Sequence, residues 1–128
     1  MLTTGIKGQK TVAVTESNCA SGMQSGTLPV FATPAMIALL EGAAFESVQP
    51  YLEEGRSTVG THLDIAHSSA TPIGMTVTAS TELVEIDRRR LVFKVEVTDG
   101  KGVIGSGTHE RFIVDCDKFM SKAESKLE

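Results

Sequence analysis

The sequence predicts an α+β fold in which one long apolar helix lies against a five-stranded antiparallel sheet. Three observations predict it. Thr33 to Val48 is an almost unbroken apolar run with a proline near its start and Pro50 just past its end. From Thr58 onward the chain divides into four segments that alternate apolar and polar residues. Asp87-Arg88 and Asp99-Gly100 fall where hairpin turns belong, which makes the strands antiparallel.

The elements follow in order. The first ten residues are polar and glycine-punctuated and read as a loose lead-in, and Lys10 to Thr15 alternates as a strand. Glu16 to Pro29 is rich in Ser, Gly, Thr and Asn and reads as a loop or flap. The helix then opens on Thr33 as capping residue and Pro34 as first helical residue. Gly42 and several alanines let it approach the sheet closely. In Thr58 to His67, alternation puts Thr61, Leu63, Ile65 and His67 on one face and His62 and Asp64 on the other. Met75, Val77, Ala79 and Leu83 share a face, as do Leu91, Phe93, Val95 and Val97. The last strand runs from about Val103 to Asp115, and the charged tail from Asp117 to Glu128 permits a short surface helix. The four later strands read as a meander. Five strands and one helix leave open edges, which pairing with a second copy would cover.

Composition narrows the function. A chain of 128 residues is about one domain, 1–128, large enough to bury a core without disulfide or metal. A net charge of −4 with no basic stripe argues against nucleic-acid binding. No apolar run reaches the roughly 18 residues of a membrane span, and no signal-peptide core stands at the start, so a cytoplasmic location is expected. Cys19 and Cys116 lie far apart without a CxxC pattern and read as free thiols, neither in a setting that marks a nucleophile.

Glu41 is the residue that composition does not explain. One helical turn to either side stand Ile37, Ala38, Ala44 and Phe45, so the carboxylate has no solvent-facing side of its own. Burying it unpaired costs several kcal/mol on the order of ionic desolvation, so it is paired, protonated or used. Among the histidines, His67 shares a face with Leu63 and Ile65, whereas His62 stands with Asp64 and reads as solvated. Five residues apart in a strand, those two face opposite ways and make no metal pair. His109 and Arg111 share a face near the end of the last strand, and a surface ion-pair ladder is the ordinary reading of that segment. Gly105 and Gly107 in the same strand mark a bulge or a close backbone approach. Gly100 to Gly105 spells GxGxxG, but it sits in a hairpin and leads into a strand, so it is not a dinucleotide site.

With those residues in view, the chain resembles the hotdog-fold acyl-CoA thioesterases, and most closely their fluoroacetyl-CoA type. The matching text is VFATPAM and LLEGA within Val30 to Ala43, PYLEEG from Pro50 to Gly55, TVGT and AHSSATPIGMTV within Thr58 to Val77, and IGSGTHER from Ile104 to Arg111. It covers most of the chain from Val30 onward. The resemblance implies a sheet wrapped around the long helix, a homodimer (or a dimer of dimers) with active sites at its interface, an acyl-CoA substrate and no cofactor. It also implies that Thr33, Glu41 and His67 form the catalytic group, that the Gly60 backbone N–H serves the thioester carbonyl, and that Arg111 supports them as a nearby charge.

The chemistry suits these residue types. A thioester needs an attack on its carbonyl and a donor for the developing oxyanion. Glu41 serves as nucleophile or as general base for water, with His67 moving the proton or steering Glu41. The phenylalanine lid of the fluoroacetyl type has no aromatic counterpart in Met23 to Leu28. The expectation is therefore a general thioesterase for short acyl chains. Two other readings remain at this stage: a hotdog hydratase or dehydratase on acyl thioesters, and a non-catalytic binding module in which Glu41 merely pairs with His67.

Overall fold

The computed structural model describes residues 1–128. Thr33–Val48 form the long helix, α2, which buries Met36, Leu39, Leu40, Ala43, Ala44 and Val48. Alanine, leucine and methionine at these positions combine high helix propensity with an apolar surface on nearly every side. A 3₁₀ turn, Gln49–Tyr51, carries the chain out of the helix through Pro50. The N-cap is Ala32, not Thr33, and Ala32 has no side-chain cap bond. The Thr33 hydroxyl is free for another partner, which corrects the capping role read from sequence.

The sheet has five strands: β1 (Lys7–Ala13), β2 (Arg56–His67), β3 (Thr76–Asp87), β4 (Arg90–Asp99) and β5 (Gly102–Asp115). Their spatial order is β1-β3-β4-β5-β2, with every neighbouring pair antiparallel. α2 therefore carries the chain from one edge of the sheet to the other. It packs mainly over β1 and β3 and reaches β2 and β4 as well. The inward row Val77, Ala79, Leu83, Leu91, Phe93 and Val95 meets it as one apolar core. A Cβ added at Gly8 would lie 2.5 Å from the Ala43 carbonyl oxygen, so helix backbone and β1 touch where glycine permits it. No helix is long and apolar enough to cross a membrane.

Four expectations are corrected. The lead-in is shorter than ten residues, because β1 starts at Lys7 and the ladder is extended by Gly5 N–H donating to Leu83 O at 2.7 Å. A long partner strand supplies pairing that glycine-rich local sequence does not announce. Only β3, β4 and β5 form a meander. β2 pairs instead with β5, because eight residues including Pro72 and Gly74 separate it from β3, too many for a tight hairpin. The loop ahead of α2 holds a one-turn helix, α1 (Ala20–Met23), with Cys19 at its N-cap accepting from Gly22 N–H. Cys19 thus has a helix-start context, but it is 2 % exposed. Finally, both turns are two-residue loops: Arg88-Arg89, with Arg88 at φ 58°, and Gly100-Lys101. The GxGxxG string spans the second of these and the start of β5. The C-terminal helix α3 (Cys116–Glu124) has no buried residue.

Candidate active site

α2 presents two groups of polar residues. The first is at its N-terminal turn, where the Thr33 hydroxyl lies 2.7 Å from Nδ1 of His67, the last residue of β2. Backbone bonds hold both sides of this contact. Phe31 N–H donates to Thr71 O at 2.8 Å, and Ser68 N–H donates to Ile104 O at 2.8 Å. The entry to α2 is thereby fastened to the loop after β2, and the exit from β2 to β5. His67 is half-buried, and that burial holds its pKa below the ordinary value of 6.5. Its Nε2 is buried and has no partner in the fold. Thr33, His67, Ser25 and Ser69 line a cleft of about 280 Å³ together with Val30 and Phe31.

The second group surrounds Glu41, two turns further along α2. Arg111 donates from Nη1 to Glu41 Oε2 at 3.3 Å, from Nε to Thr58 Oγ1 at 2.8 Å and from Nη2 to Thr58 O at 3.0 Å. Its guanidinium carbon lies 5.9 Å from the centre of the Phe45 ring. Burial pulls the Arg111 pKa down and Glu41 offsets it, and a guanidinium keeps its charge under both. Gly60, opposite Arg111 in the β2–β5 ladder at a register shift, leaves room for the carboxylate: a Cβ there would lie 2.5 Å from Glu41 Oε2. The arginine side chain is 8 % exposed and the glutamate side chain 36 %. Glu41 thus shares a partly exposed side of α2 with Ala38 and Phe45, which corrects the expectation that it has no solvent-facing side.

The sequence therefore picked residues that the structure gathers in two places. Thr33 and His67 are joined, and so are Glu41, Gly60 and Arg111. Within one chain no hydrogen bond or ion pair links His67 to Glu41, whose charged partner is Arg111. Eight residues of helix, about 12 Å of rise, separate Thr33 from Glu41. His62 is exposed, as alternation implied.

His109 and Arg111 are not a surface ladder. They are 0 % and 7 % exposed and face α2, while Glu110 pairs with Arg90 at 2.8 Å on the other face. The signal was present in their parity with Ile113, which is buried on the same side. Nδ1 of His109 is 2.9 Å from His62 O, and its Nε2 is 3.2 Å from Arg111 Nη1 and 4.0 Å from Glu41 Oε2. Gly105 and Gly107 both mark close approaches, to Met36 and to the β2 backbone at Asp64.

Comparison with known proteins gives the family and the fold. The family model "FlK: Fluoroacetyl-CoA-specific thioesterase" matches residues 14–117. A fluoroacetyl-CoA thioesterase of Streptantibioticus cattleyicolor is 44 % identical over 97 residues, which are 76 % of this chain and 70 % of that protein. A solved structure of the fluoroacetyl-CoA thioesterase FlK superposes with a TM-score of 0.92 at 35 % identity, covering 98 % of both chains. A structure of an FlK variant in complex with acetyl-CoA gives 0.93 at 33 % identity, over 99 % of this chain and 100 % of that one. A hot-dog-like protein of Thermanaerovibrio acidaminovorans, 19 % identical with a TM-score of 0.88 over 98 % of this chain and 93 % of its own, shares the fold. With a helix cradled by a five-stranded antiparallel sheet and a sequence match across most of its length, this chain belongs to the hotdog-fold family of fluoroacetyl-CoA-specific thioesterases.

Proposed function

We propose that this protein hydrolyses the thioester of a small acyl-CoA to the free acid and CoA, with Glu41 at the centre of the reaction. The observation that carries the reading is the Glu41 carboxylate, anchored by the buried Arg111 and set against a glycine, on a side chain that is partly exposed. A structural ion pair would gain nothing from leaving that carboxylate exposed beside a position without a Cβ. Glu41 attacks the thioester carbonyl or takes the proton from an attacking water. The Gly60 backbone N–H stabilises the oxyanion, and removing such a donor generally costs 10²-fold or more. Thr33 and His67 form the other half of the site, the hydroxyl binding substrate or water and the neutral imidazole taking the proton. Arg111 acts through Glu41, since its own side chain is buried.

Two copies of the chain make one active unit in this reading. The free edge of β2 carries the exposed residues Gly60 to Asp64, a ready surface for a second copy. Pairing there brings the Glu41 group of one protomer toward the Thr33–His67 group of its partner. The substrate is a short acyl-CoA without selectivity for fluorine, because Met23 to Leu28 offers the cleft no aromatic side chain. The protein acts in the cytoplasm, where acyl-CoA is available and both cysteines stay reduced.

The test is thiol release from acyl-CoAs of increasing length, fluoroacetyl-CoA included, by wild type and Glu41→Gln. Wild-type turnover that falls on the order of 10²- to 10⁴-fold in the variant is expected. Undiminished turnover by Glu41→Gln would remove Glu41 from the chemistry. Absence of thiol release from every acyl-CoA would overturn the hydrolase reading itself.

A further inference from the structure

We propose that His109, as its neutral Nδ1–H tautomer, is a positioning residue for Glu41: it gives Arg111 an uncharged acceptor and so fixes the guanidinium that holds the carboxylate. This rests on the role proposed for Glu41. His109 is fully buried on β5 and stacked on Phe93, with ring centroids 6.3 Å apart and planes 29° from parallel. Its two ring nitrogens face partners of opposite kind. The His62 carbonyl at 2.9 Å can only accept, so Nδ1 carries a proton. Arg111 Nη1 at 3.2 Å can only donate, so Nε2 offers a lone pair. Both contacts assign the same tautomer independently. Burial also keeps the ring below its ordinary basicity.

Four of the five Arg111 N–H hydrogens then have partners. Nε and one Nη2 hydrogen go to Thr58, and the two Nη1 hydrogens to His109 and Glu41. Because the guanidinium is planar, anchoring one Nη1 hydrogen on His109 aims the other at Glu41. That second bond is 3.3 Å long, so the carboxylate depends on the rigidity of its donor. His109 Nε2, 4.0 Å from Glu41 Oε2, is too distant to hold it directly.

The experiment combines two variants with one spectroscopic measurement. His109→Asn keeps a donor for the His62 carbonyl and removes the acceptor for Arg111, while His109→Gln sets an amide oxygen near the former Nε2. Expected is a fall in kcat of roughly 10- to 100-fold for Asn with little change in KM, and recovery of most of it by Gln. A purely structural histidine would lower the melting temperature in both and leave kcat per folded molecule unchanged. Ring nitrogen NMR of ¹⁵N-histidine-labelled wild type should show a pyrrole-like Nδ1 and a pyridine-like Nε2, a result that does not require either variant to fold. A proton on Nε2, or Asn and Gln variants of equal kcat, overturns this inference alone. The assigned tautomer together with a fully active Glu41→Gln instead overturns the role of Glu41, and the positioning role falls with it.

Discussion

Gly60→Ala separates the chemistry of this site from the stability of the fold. The new Cβ would lie 2.5 Å from Glu41 Oε2, about 1 Å inside the ordinary contact range that starts at 3.4 Å. Arg111 Nη1 and His109 Cε1, each at 3.3 Å, would need to give by only tenths of an ångström. The atom that must retreat is the end of a flexible side chain, so the fold absorbs the change cheaply. The reaction does not. Displacing a reacting group by about 1 Å costs on the order of 10²-fold in rate, near 2.7 kcal/mol of transition-state stabilisation. Gly60 has no positive φ, so alanine fits its backbone conformation and restricts the unfolded chain by roughly 0.4–1 kcal/mol. The tight contacts offset part of that gain. We expect kcat for acyl-CoA hydrolysis to fall about 100-fold. The melting temperature should stay within a few degrees of wild type. A continuous thiol-release assay and a thermal melt on the same preparation measure both quantities. A kcat within about threefold of wild type would show that Glu41 tolerates the displacement, against the expectation from positioning. A parallel collapse of stability would make Gly60 structural.

Two further outcomes are expected. Because the Thr33–His67 and Glu41–Arg111 groups stay apart on one chain, Thr33→Ala and Glu41→Gln proteins refolded together should regain activity that neither has alone, each mixed dimer holding one intact site. No recovery in a mixture shown to contain mixed dimers would place the whole site on one protomer. Acid should destabilise the fold in steps: burial depresses His67 and His109 below 6.5, so the unfolded chain takes up their protons first. Their contribution is whole above pH 6.5 and is lost as pH falls through the window below it. The Asp99 carboxyl, lowered chiefly by the Lys101 N–H, and the Glu110 carboxyl, lowered chiefly by Arg90, extend the loss to more acidic pH. Thermal melts stepped from neutral pH to about 5 check this, and a melting temperature that rises as pH drops below 6.5 would contradict it.

Legibility from sequence followed the kind of force involved. α2 was readable to its last residue because its pattern and its terminating Pro50 are local. The faces of β3 and β4 were readable because burial on one side imposes a period of two. β2 has few buried residues along its length, so its partner strand was not readable. The start of β1 was hidden for a related reason, since its pairing comes from a strand some seventy positions away.

By itself the sequence determined the apolar helix with one misplaced carboxylate, the alternating strands that cover it, and the motifs that carry the family resemblance. Each is a matter of neighbours along the chain, where spacing alone decides which side chains share a face. Only the tertiary structure decided what those side chains meet. It turned Thr33 from helix cap to partner of His67, gave Glu41 to Arg111 instead of His67, and buried His109 behind them. Those choices depend on β2 crossing to pair with β5, a contact between residues about fifty positions apart that no local pattern encodes.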